Sequence, residues 1–387
     1  MEKRLIEKFK EIFEREHPRV FFAPGRVNLI GEYTDFNNGH VFPCALDIGT
    51  YCIALEREDK NLRFYSQNFP EMGIIEISLA DILYDKTHDW ANYPKSVIYT
   101  LIESGYEIKN GMDFYYYGNI PNGAGLSSSA SIEMVTGVAL NNILNLDIDI
   151  PKLATLCQRA ENKYIGVNSG IMDQFAIGMG KKDCAILLDC KTLEFRYSRL
   201  NLMEYSLIIS NTNKRRGLAD SKYNERRNEC EGALLNLKEK LNISALGEVT
   251  IEDFEKYKYL IKNKIDRQRA EHVVYENART LDAVNALEKS DLHEFGRLMN
   301  QSHQSLKEKF EVTGKELDTL VELSQNFKGV IGSRMTGAGF GGCTVTLVLK
   351  ESVEDFIKEV GKSYKKEIGY APDFYIVSVE DGAKEIF

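Results

Sequence analysis

A run of glycine and serine residues at positions 121–131, PNGAGLSSSAS, leads directly into a helical pattern of apolar residues. Gly123 and Gly125 let a ligand approach the backbone closely, because neither carries a side chain. A glycine loop that ends at a helix N-terminus presents free N–H groups and the positive end of the helix dipole. The run therefore predicts a phosphate-binding loop. Taken alone, it fits an ordinary turn with a serine N-cap equally well.

Other nucleotide-binding motifs are absent or lack their context. No segment matches GxxxxGK[ST], which excludes a P-loop NTPase, and no HRD or DFG motif of a protein kinase occurs. The glycine run 337–342 does match GxGxxG, but the strand pattern CTVTLV follows it, whereas the dinucleotide fingerprint requires a helix there. We interpret residues 337–342 as a loop whose backbone approaches a ligand, such as phosphates, or another segment.

The segment 24–39, PGRVNLIGEYTDFNNG, concentrates polar side chains between two apolar strand patterns. Its polar members include Arg26, Asn28, Glu32, Thr34, Asp35, Asn37 and Asn38. Carboxylates and amides together suit a ligand with many hydroxyl groups, because each hydroxyl can donate to a carboxylate and accept from an amide. The segment is therefore a candidate sugar site, and an ordinary polar loop stays the alternative.

Two carboxylates stand near the loop of GVNSGIMDQFAIG, residues 166–178. Asp173 is predicted in the first turn of a helix that begins near Ser169, and Glu161 lies twelve residues before it, at the end of the preceding helix. An acidic residue in a first helical turn often only complements the helix dipole. The spacing also allows the two carboxylates different tasks, one on a metal ion and the other on a substrate proton.

Composition and charge limit the classes of function. The 387 residues are 43% hydrophobic, which allows a large core, and the length favours about two or three domains, of which we assume two. Acidic residues outnumber basic ones by 58 to 49, and the net charge of −9 excludes a general nucleic-acid binder. The sequence has no uncharged stretch of the roughly 18 to 20 residues that a membrane span needs. We expect neither a nucleic-acid nor a membrane partner.

The N-terminus and the cysteines indicate a cytoplasmic protein. Leu5, Ile6, Phe9, Ile12 and Phe13 stand at helical intervals among charged residues, which is typical of an amphipathic helix and not of a signal peptide. The seven cysteines are scattered and form no CxxC pair. That pattern argues against a disulfide framework and against a zinc site.

The element patterns divide the chain into two parts. Residues 20–80 are rich in β-branched and aromatic residues broken by turn residues, which predicts strands and loops. Helices are predicted at 94–105, 127–145 and 151–164, and strands at 184–190, 193–198 and 205–210. Residues 213–310 are rich in helical patterns. We expect two closely packed domains, 1–200 and 201–387, with the ligand site in the cleft between them.

The four polar and glycine-rich segments, in this order, resemble those of the GHMP kinases, the superfamily of galacto-, homoserine, mevalonate and phosphomevalonate kinases. Four stretches are similar to the galactokinase versions in particular: PGRVNLIGEYTDF, GIMDQF, SKYNERRNEC and RMTGAGFGGCTV. The resemblance implies the α+β GHMP kinase fold, with an N-terminal domain like ribosomal protein S5, a ferredoxin-like C-terminal domain and the active site between them. It implies transfer of a phosphoryl group from ATP to the anomeric hydroxyl of galactose with Mg²⁺, and we expect a monomer.

The resemblance also implies roles for individual residues. Asp173 would be the general base, and Arg26 would stabilise the transferring phosphoryl group. The sugar pocket would be lined by Glu32, Tyr33, Thr34, Asp35 and Tyr223. The triphosphate would be wrapped by Gly123, Ala124, Gly125, Leu126, Ser127, Ser128 and Ser129. Ser129 and Glu161 would hold Mg²⁺. Ser66 would lie by the nucleoside together with Trp90, for which a packing role stays open.

The sequence departs from the galactokinase pattern at Tyr33, where the family usually has the histidine of EHTD. Tyrosine can donate and accept a hydrogen bond, but it is longer than histidine and cannot become cationic. Two alternatives therefore stay open: a kinase for N-acetylgalactosamine or another aldose, and a sensor that binds galactose and ATP without turnover. The complete SSSAS stretch at 127–131, together with Arg26 and Asp173, argues against the sensor.

Overall fold

The first helix and the first strand show how side-chain spacing sets the elements of this chain. Helix α1 spans Glu2–Phe13 and buries Leu5, Phe9 and Phe13, which repeat every four residues along one face. The predicted amphipathic helix is confirmed. Strand β1 follows at Arg19–Asn28, and most of its side chains are buried on both faces of the sheet.

The protein is described by a computed structural model over residues 1–121, 125–214 and 219–387. The further helices are α2 (Asn92–Glu103), α3 (Ser128–Ile143), α4 (Ile150–Ala160), α5 (Met172–Met179), α6 (Ala219–Leu237), α7 (Ile251–Tyr257), α8 (Lys264–Glu288), α9 (Leu292–Ser305), α10 (Gly314–Gln325) and α11 (Val353–Ile368). The further strands are β2 (His40–Val41), β3 (Pro43–Glu56), β4 (Asn61–Ser66), β5 (Ile75–Ser78), β6 (Met112–Gly118), β7 (Cys184–Asp189), β8 (Phe195–Arg199), β9 (Tyr205–Asn211), β10 (Val330–Thr336), β11 (Cys343–Leu349), β12 (Asp373–Val377) and β13 (Lys384–Glu385). Over these same ranges, no helix is long and apolar enough to cross a membrane.

The strands of the described residues form three sheets. The six-stranded sheet has the order β13-β1-β3-β6-β4-β5, the four-stranded sheet β10-β11-β9-β12, and the three-stranded sheet β2-β7-β8. Neighbouring strands are antiparallel, except that β4 and β6 are parallel. Helices packed against mainly antiparallel sheets place the protein in the α+β class, as expected.

Helix α3 packs against β1 and β3 of the six-stranded sheet. The face predicted from spacing, with Ala130, Met134, Val135, Val138 and Ala139, is buried, and so are most other positions of the helix. A helix buried on nearly all sides has little freedom to shift. The N-terminus of α3, and residues 125–127 before it, are therefore held against strand β1.

One predicted boundary was wrong. Helix α5 begins at Met172 and not near Ser169, because the carbonyl of Ser169 accepts hydrogen bonds from the side chains of Gln158 and Asn162, both at 3.2 Å. Asp173 still lies in the first turn, as predicted. Residues 332–336, which precede the predicted loop 337–342, belong to β10 and pair with β11.

Strands from after residue 200 occur both in the four-stranded sheet and in the six-stranded sheet. Strand β9, the first after residue 200, pairs with β11 and β12 of the four-stranded sheet. The C-terminal strand β13 returns to the six-stranded sheet, where Glu385 stands opposite Phe21 of β1. The division into 1–200 and 201–387 stays a prediction.

Candidate active site

An arginine–aspartate ion pair lies at the centre of a cleft. The pairing of β1 with β3 is irregular between Pro24 and Arg26, and such a bulge re-aims a side chain. Nε of Arg26 donates to Oδ1 of Asp173 at 2.7 Å, and Nη2 donates to Oδ2 at 3.0 Å. Arg26 is 4% exposed, whereas the Asp173 side chain is 26% exposed. The carboxylate therefore faces the cavity, with the guanidinium fixed behind it in a bidentate pair.

Residues of the predicted phosphate-binding loop reach the same ion pair. Ser127, the residue before α3, has a φ of 59°, and its hydroxyl donates to Oδ2 of Asp173 and does not cap the helix. The carbonyl of Gly125 accepts from Nη1 of Arg26 at 2.9 Å. The alternative of an ordinary serine N-cap is therefore wrong, because the loop is bonded to the ion pair.

The other members of the predicted triphosphate loop have different surroundings. Leu126 is buried in the core, and its carbonyl accepts from the backbone N–H of Arg26 at 3.2 Å. Ser128 and Ser129 line the cavity at the first turn of α3. Gly123 and Ala124 lie outside the described residues.

The cavity around the ion pair has a volume of about 290 Å³. The predicted site residues in its wall are Arg26, Glu32, Tyr33, Asp35, Ser128, Ser129, Glu161, Asp173 and Tyr223. The structure adds Tyr93, Val167, Ser169, Gly170 and Met172, which were not predicted as site residues, and it brings Gly337 and Ala338 of the loop 337–342 to the same wall. Four segments far apart in the sequence, 24–39, 121–131, 166–178 and 337–342, thus meet at one cavity.

The carboxylate of Glu32 is held by strand β10 and the residue after it. Its Oε1 accepts from the N–H of Gly337 at 2.8 Å, from the hydroxyl of Thr336 at 3.2 Å and from Nη1 of Arg334 at 3.4 Å. Glu32 is 2% exposed, so these bonds replace the water that an isolated carboxylate needs. The side chain reaches the cavity wall already oriented.

Asp35, in the candidate sugar segment 24–39, has a raised pKa. Burial, and next the charge of Asp173, raise the pKa of Asp35 to about 7, although Arg26 opposes the shift. Thr34 does not reach the cavity, because its hydroxyl lies 2.8 Å and 2.7 Å from the carbonyls of Gly31 and His40, inside its own turn. Its predicted contact with the sugar stays untested.

Aromatic rings pack around Tyr33 in the segment 24–39. Tyr33 packs against Phe310 with 4.5 Å between ring centroids and against Tyr223 with 5.4 Å. The hydroxyl of Tyr33 donates to the carbonyl of Ala338 at 2.5 Å. Burial raises the pKa of Tyr223 well above its ordinary value, so that ring stays a neutral phenol in the cavity wall.

The predicted metal ligands lie side by side. Glu161 opens the π-helical turn Glu161–Ile165 that follows α4, and its Oε2 accepts from Ser169 Oγ at 2.6 Å and from Gln174 Nε2 at 3.0 Å. Burial raises the pKa of Glu161, opposed by hydrogen bonds that include one from Ser129. No group of three or more His, Cys, Asp and Glu side chains forms a metal site within the described ranges. One hydroxyl and one carboxylate would suit Mg²⁺ when a ligand supplies further oxygens.

A second buried acid behind this site escaped prediction. Glu133 on α3 is fully buried; its Oε2 accepts from Gln174 Nε2 at 3.0 Å, and its Oε1 has no hydrogen-bond partner among the described residues. Burial raises the pKa of Glu133 well above its usual range. The sequence contained a signal, since one acid interrupts an otherwise apolar and small-residue helix.

A second cavity of about 270 Å³ adjoins the first and shares Tyr93, Ser128 and Ser129 with it. Ser66, at the end of β4, and Trp90 both line it, as the nucleoside prediction requires. Trp90 also packs edge-on against Tyr116, with 5.7 Å between centroids. Its indole N–H has no hydrogen-bond partner in the part of the chain that is described. Trp90 therefore packs in the wall of this cavity, and its N–H is buried.

Three family models match the chain. Residues 92–181 match the GHMP kinases N terminal domain, residues 283–366 match GHMP kinases C terminal, and residues 7–55 match the galactokinase galactose-binding signature. These ranges include Arg26, Glu161, Asp173 and the glycine loop 337–342. The two-domain GHMP kinase fold is thus confirmed.

The chain is also similar to known galactokinases over its whole length. It is 58% identical to the galactokinase of Clostridium acetobutylicum, over 99% of this chain and 98% of that protein, and 57% identical to that of Fusobacterium nucleatum, over 99% of each. The crystal structure of Lactococcus lactis galactokinase complexed with galactose superimposes with a TM-score of 0.97 at 46% identity, over 99% of both chains. Methanococcus jannaschii mevalonate kinase shares the fold, with a TM-score of 0.69 at 20% identity over 95% of this chain and 100% of that one. The chain belongs to the galactokinase family of the GHMP kinases.

Proposed function

We propose that the protein transfers the γ-phosphoryl group of ATP to the anomeric hydroxyl of D-galactose, giving galactose 1-phosphate and ADP, the entry step of the Leloir pathway. The observation that carries the proposal is the Asp173 carboxylate, which faces the cavity from a bidentate pair with Arg26. Its position between the polar segment 24–39 and the phosphate loop suits a group that acts between a sugar and a phosphate. The galactokinase relatives, one of them complexed with galactose, support the choice of sugar.

In the proposed reaction, the anomeric oxygen attacks the γ-phosphorus and gives its proton to a carboxylate oxygen of Asp173. The bond from the γ-phosphorus to the bridging oxygen breaks, and ADP leaves. Asp173 accepts three hydrogen bonds, from Arg26 and Ser127, of the roughly four that a carboxylate can take. One acceptor position is left for the proton of the sugar hydroxyl.

Arg26 has a second task in this scheme. Three of its five N–H groups are used, two on Asp173 and one on Gly125. The remaining two can bond the oxygens of the transferring phosphoryl group, where a fixed positive charge stabilises the developing negative charge. Because the guanidinium is buried and already oriented, little reorganisation is needed as the reaction proceeds.

Mg²⁺ is part of the proposal, with Ser129 and Glu161 as its protein ligands. When bound, the ion would neutralise charge on the phosphate oxygens. Glu161→Gln, which keeps the size of the side chain and removes its charge, is expected to raise the Mg²⁺ concentration for half-maximal activity at least about tenfold. It should raise the Mg²⁺ requirement for binding a non-hydrolysable ATP analogue equally. An unchanged requirement in both measurements would remove Glu161 from the metal site.

The subsites follow from the two cavities. Glu32, Tyr33, Asp35 and Tyr223 are proposed for the sugar, and Ser66 and Trp90 for the nucleoside. The triphosphate is assigned to the loop Gly123 to Ser129, at the N-terminus of α3. We assign the sugar, phosphate and metal motifs to a domain of residues 1–200 and the glycine loop 337–342 to a domain of residues 201–387.

We further propose that the protein works as a monomer in the cytoplasm. The cavity walls described above come from a single chain, so the site does not need a second copy. Light scattering of the purified protein at assay concentration tests this, with a mass of 44.0 kDa expected for one chain. A stable dimer at that concentration would contradict it.

The test of the function is release of ADP from ATP over a panel of aldoses. Galactose is expected to give the highest kcat/KM, and the product should be the 1-phosphate. A higher kcat/KM for N-acetylgalactosamine or another aldose would mean that this sugar, and not galactose, is the substrate of the same phosphoryl transfer. Binding of galactose and ATP without release of ADP would show that the protein is a sensor and not an enzyme.

A further inference from the structure

Two hydrogen bonds join the candidate sugar segment, residues 24–39, to the glycine loop, residues 337–342. Oε1 of Glu32 accepts from the N–H of Gly337 at 2.8 Å, and the hydroxyl of Tyr33 donates to the carbonyl of Ala338 at 2.5 Å. Two consecutive residues of one segment are thus bonded to two consecutive residues of the other. A shift of either segment must break these bonds or move both segments together.

The glycine loop also abuts the phosphate loop. A Cβ atom added at Gly337, where φ is 79°, would lie only 2.8 Å from the carbonyl oxygen of Gly125. The same carbonyl accepts the hydrogen bond from Nη1 of Arg26 at 2.9 Å. The sugar segment, the glycine loop and the phosphate loop therefore meet at Gly337 with almost no free space.

Packing and backbone conformation fix the position of Tyr33. The residue is 4% exposed, and its ring packs against the rings of Phe310 and Tyr223. Its φ is 67°, which a bulky residue adopts only where its surroundings determine the conformation. The hydroxyl is therefore directed at Ala338 by the fold, before any sugar binds.

We propose that Tyr33 is a positioning residue that couples the sugar site to the nucleotide site through the glycine loop. The inference rests on the proposed function, because it requires that sugar and nucleotide bind on either side of Gly337. Both ligands then need one arrangement of the three loops, so each stabilises that arrangement for the other. Such a coupling is reciprocal: the factor by which nucleotide tightens sugar binding equals the factor by which sugar tightens nucleotide binding.

The experiment measures that factor by calorimetry. Galactose is titrated into the full-length protein alone and into the protein saturated with Mg²⁺ and a non-hydrolysable ATP analogue, and the two dissociation constants are divided. The variant is Tyr33→Phe, which keeps the ring packing and removes only the hydroxyl. The matched control is Tyr197→Phe, which removes a tyrosine hydroxyl that donates to a backbone carbonyl, that of Met179 at 2.8 Å, away from the cleft.

Wild type and Tyr197→Phe are expected to share a coupling factor well above one, and Tyr33→Phe to lower that factor by about three- to tenfold, the range of one buried hydrogen bond. Three results would overturn the inference while leaving the proposed function intact: a wild-type factor of one, an unchanged factor in Tyr33→Phe, or an equal loss in the control. An equal loss of galactose affinity with and without nucleotide leaves the factor unchanged and would make Tyr33 a sugar contact only. Absence of galactose binding to wild type would overturn the proposed function itself.

Discussion

Asp173 combines a structural and a chemical task in one side chain, and the two can be separated. Asp173→Asn keeps the shape but removes the proton acceptor and the negative charge. We expect kcat to fall by about 10² to 10⁴, the usual contribution of a general base. Melting temperature should fall as well, because Arg26 is 4% exposed and loses its counter-charge.

The control for this prediction is Asp149→Asn. Asp149 caps α4 by accepting from the N–H of Lys152, and asparagine caps a helix as well as aspartate does. kcat from ADP release and the melting temperature are measured on the same samples. A kcat near the wild-type value in folded Asp173→Asn would exclude Asp173 as the base.

Asp35 makes stability depend on pH. Its folded pKa of about 7, raised by burial and by Asp173, lies above the ordinary value of about 3.9 in an unfolded chain. A raised pKa means that the contribution to stability is complete below about pH 4 and is lost as the pH rises through 7. Asparagine at position 35 does not titrate, so the variant loses no unfolding free energy in this way as the pH rises. Relative to wild type, Asp35→Asn should therefore gain roughly 2 to 4 kcal/mol of unfolding free energy between pH 4 and pH 8, while galactose binding weakens.

Urea unfolding of both proteins at pH 4, 6 and 8 measures this difference. The gain should be seen as a growing separation of the two midpoints with pH. A separation that is the same at all three values would show that Asp35 is ionised in the folded protein over the whole range.

At the scale of elements, the contact between the glycine loop and the phosphate loop is the point at which a single methyl group matters. Gly337→Ala adds a Cβ only 2.8 Å from the Gly125 carbonyl, at a φ of 79°. The backbone conformation alone costs about 1 to 2 kcal/mol, and the steric contact pushes the two loops apart. We expect KM for ATP to rise about tenfold or more.

Gly105→Ala separates the two effects. Gly105 has a φ of 88°, but a Cβ there would meet nothing within 4 Å. Both variants should lose stability in thermal unfolding, Gly337→Ala at least as much as Gly105→Ala, whereas only Gly337→Ala should change KM for ATP. If KM stays the same in Gly337→Ala, the phosphates do not lie against this junction.

At the scale of the whole molecule, Arg334 connects the four-stranded sheet to the six-stranded sheet and to helix α9. Fully buried on β10, it donates to the carbonyl of Asn28 on β1 at 2.9 Å and to Ser302 Oγ on α9 at 3.2 Å, and it lies 3.4 Å from Glu32. Burial would raise the pKa of nearby Glu276, but Arg279, His272 and Arg334 lower it to about 2. Two buried carboxylates thus depend in part on this one guanidinium.

Arg334→Met should therefore destabilise the protein by about 3 to 5 kcal/mol, the cost of leaving buried charges without their partner. Arg297→Met is the control, because Arg297 forms an exposed pair with Glu294, and solvent screens such pairs so that they add little to stability. Chemical unfolding at pH 7 compares the two variants with wild type. A loss in Arg334→Met no larger than in the control would mean that the buried cluster adds nothing to stability.

Much of the site could be predicted because phosphoryl transfer needs charged and hydroxyl side chains, and here these stand in short, recognisable sequence segments. Arg26, Asp173, Ser129 and Glu161 stand in glycine- and acid-rich segments, and the structure brings all four to one cavity. Glu133 and Gln174 lie behind that cavity, on helices whose patterns indicate only burial. Nothing in their spacing shows that they face each other, so the hydrogen bonds of Gln174 to Glu133 and Glu161 could not be predicted.

The sequence by itself determined the elements and the family, because side-chain periodicity and turn residues act over a few neighbouring positions. Only the tertiary structure decided where individual side chains point. Thr34, three residues from Gly31, turns back on its own loop, whereas Tyr33 reaches a carbonyl 305 residues further along the chain. The direction of each depends on packing and hydrogen-bond partners that distant segments supply, and no local pattern specifies them.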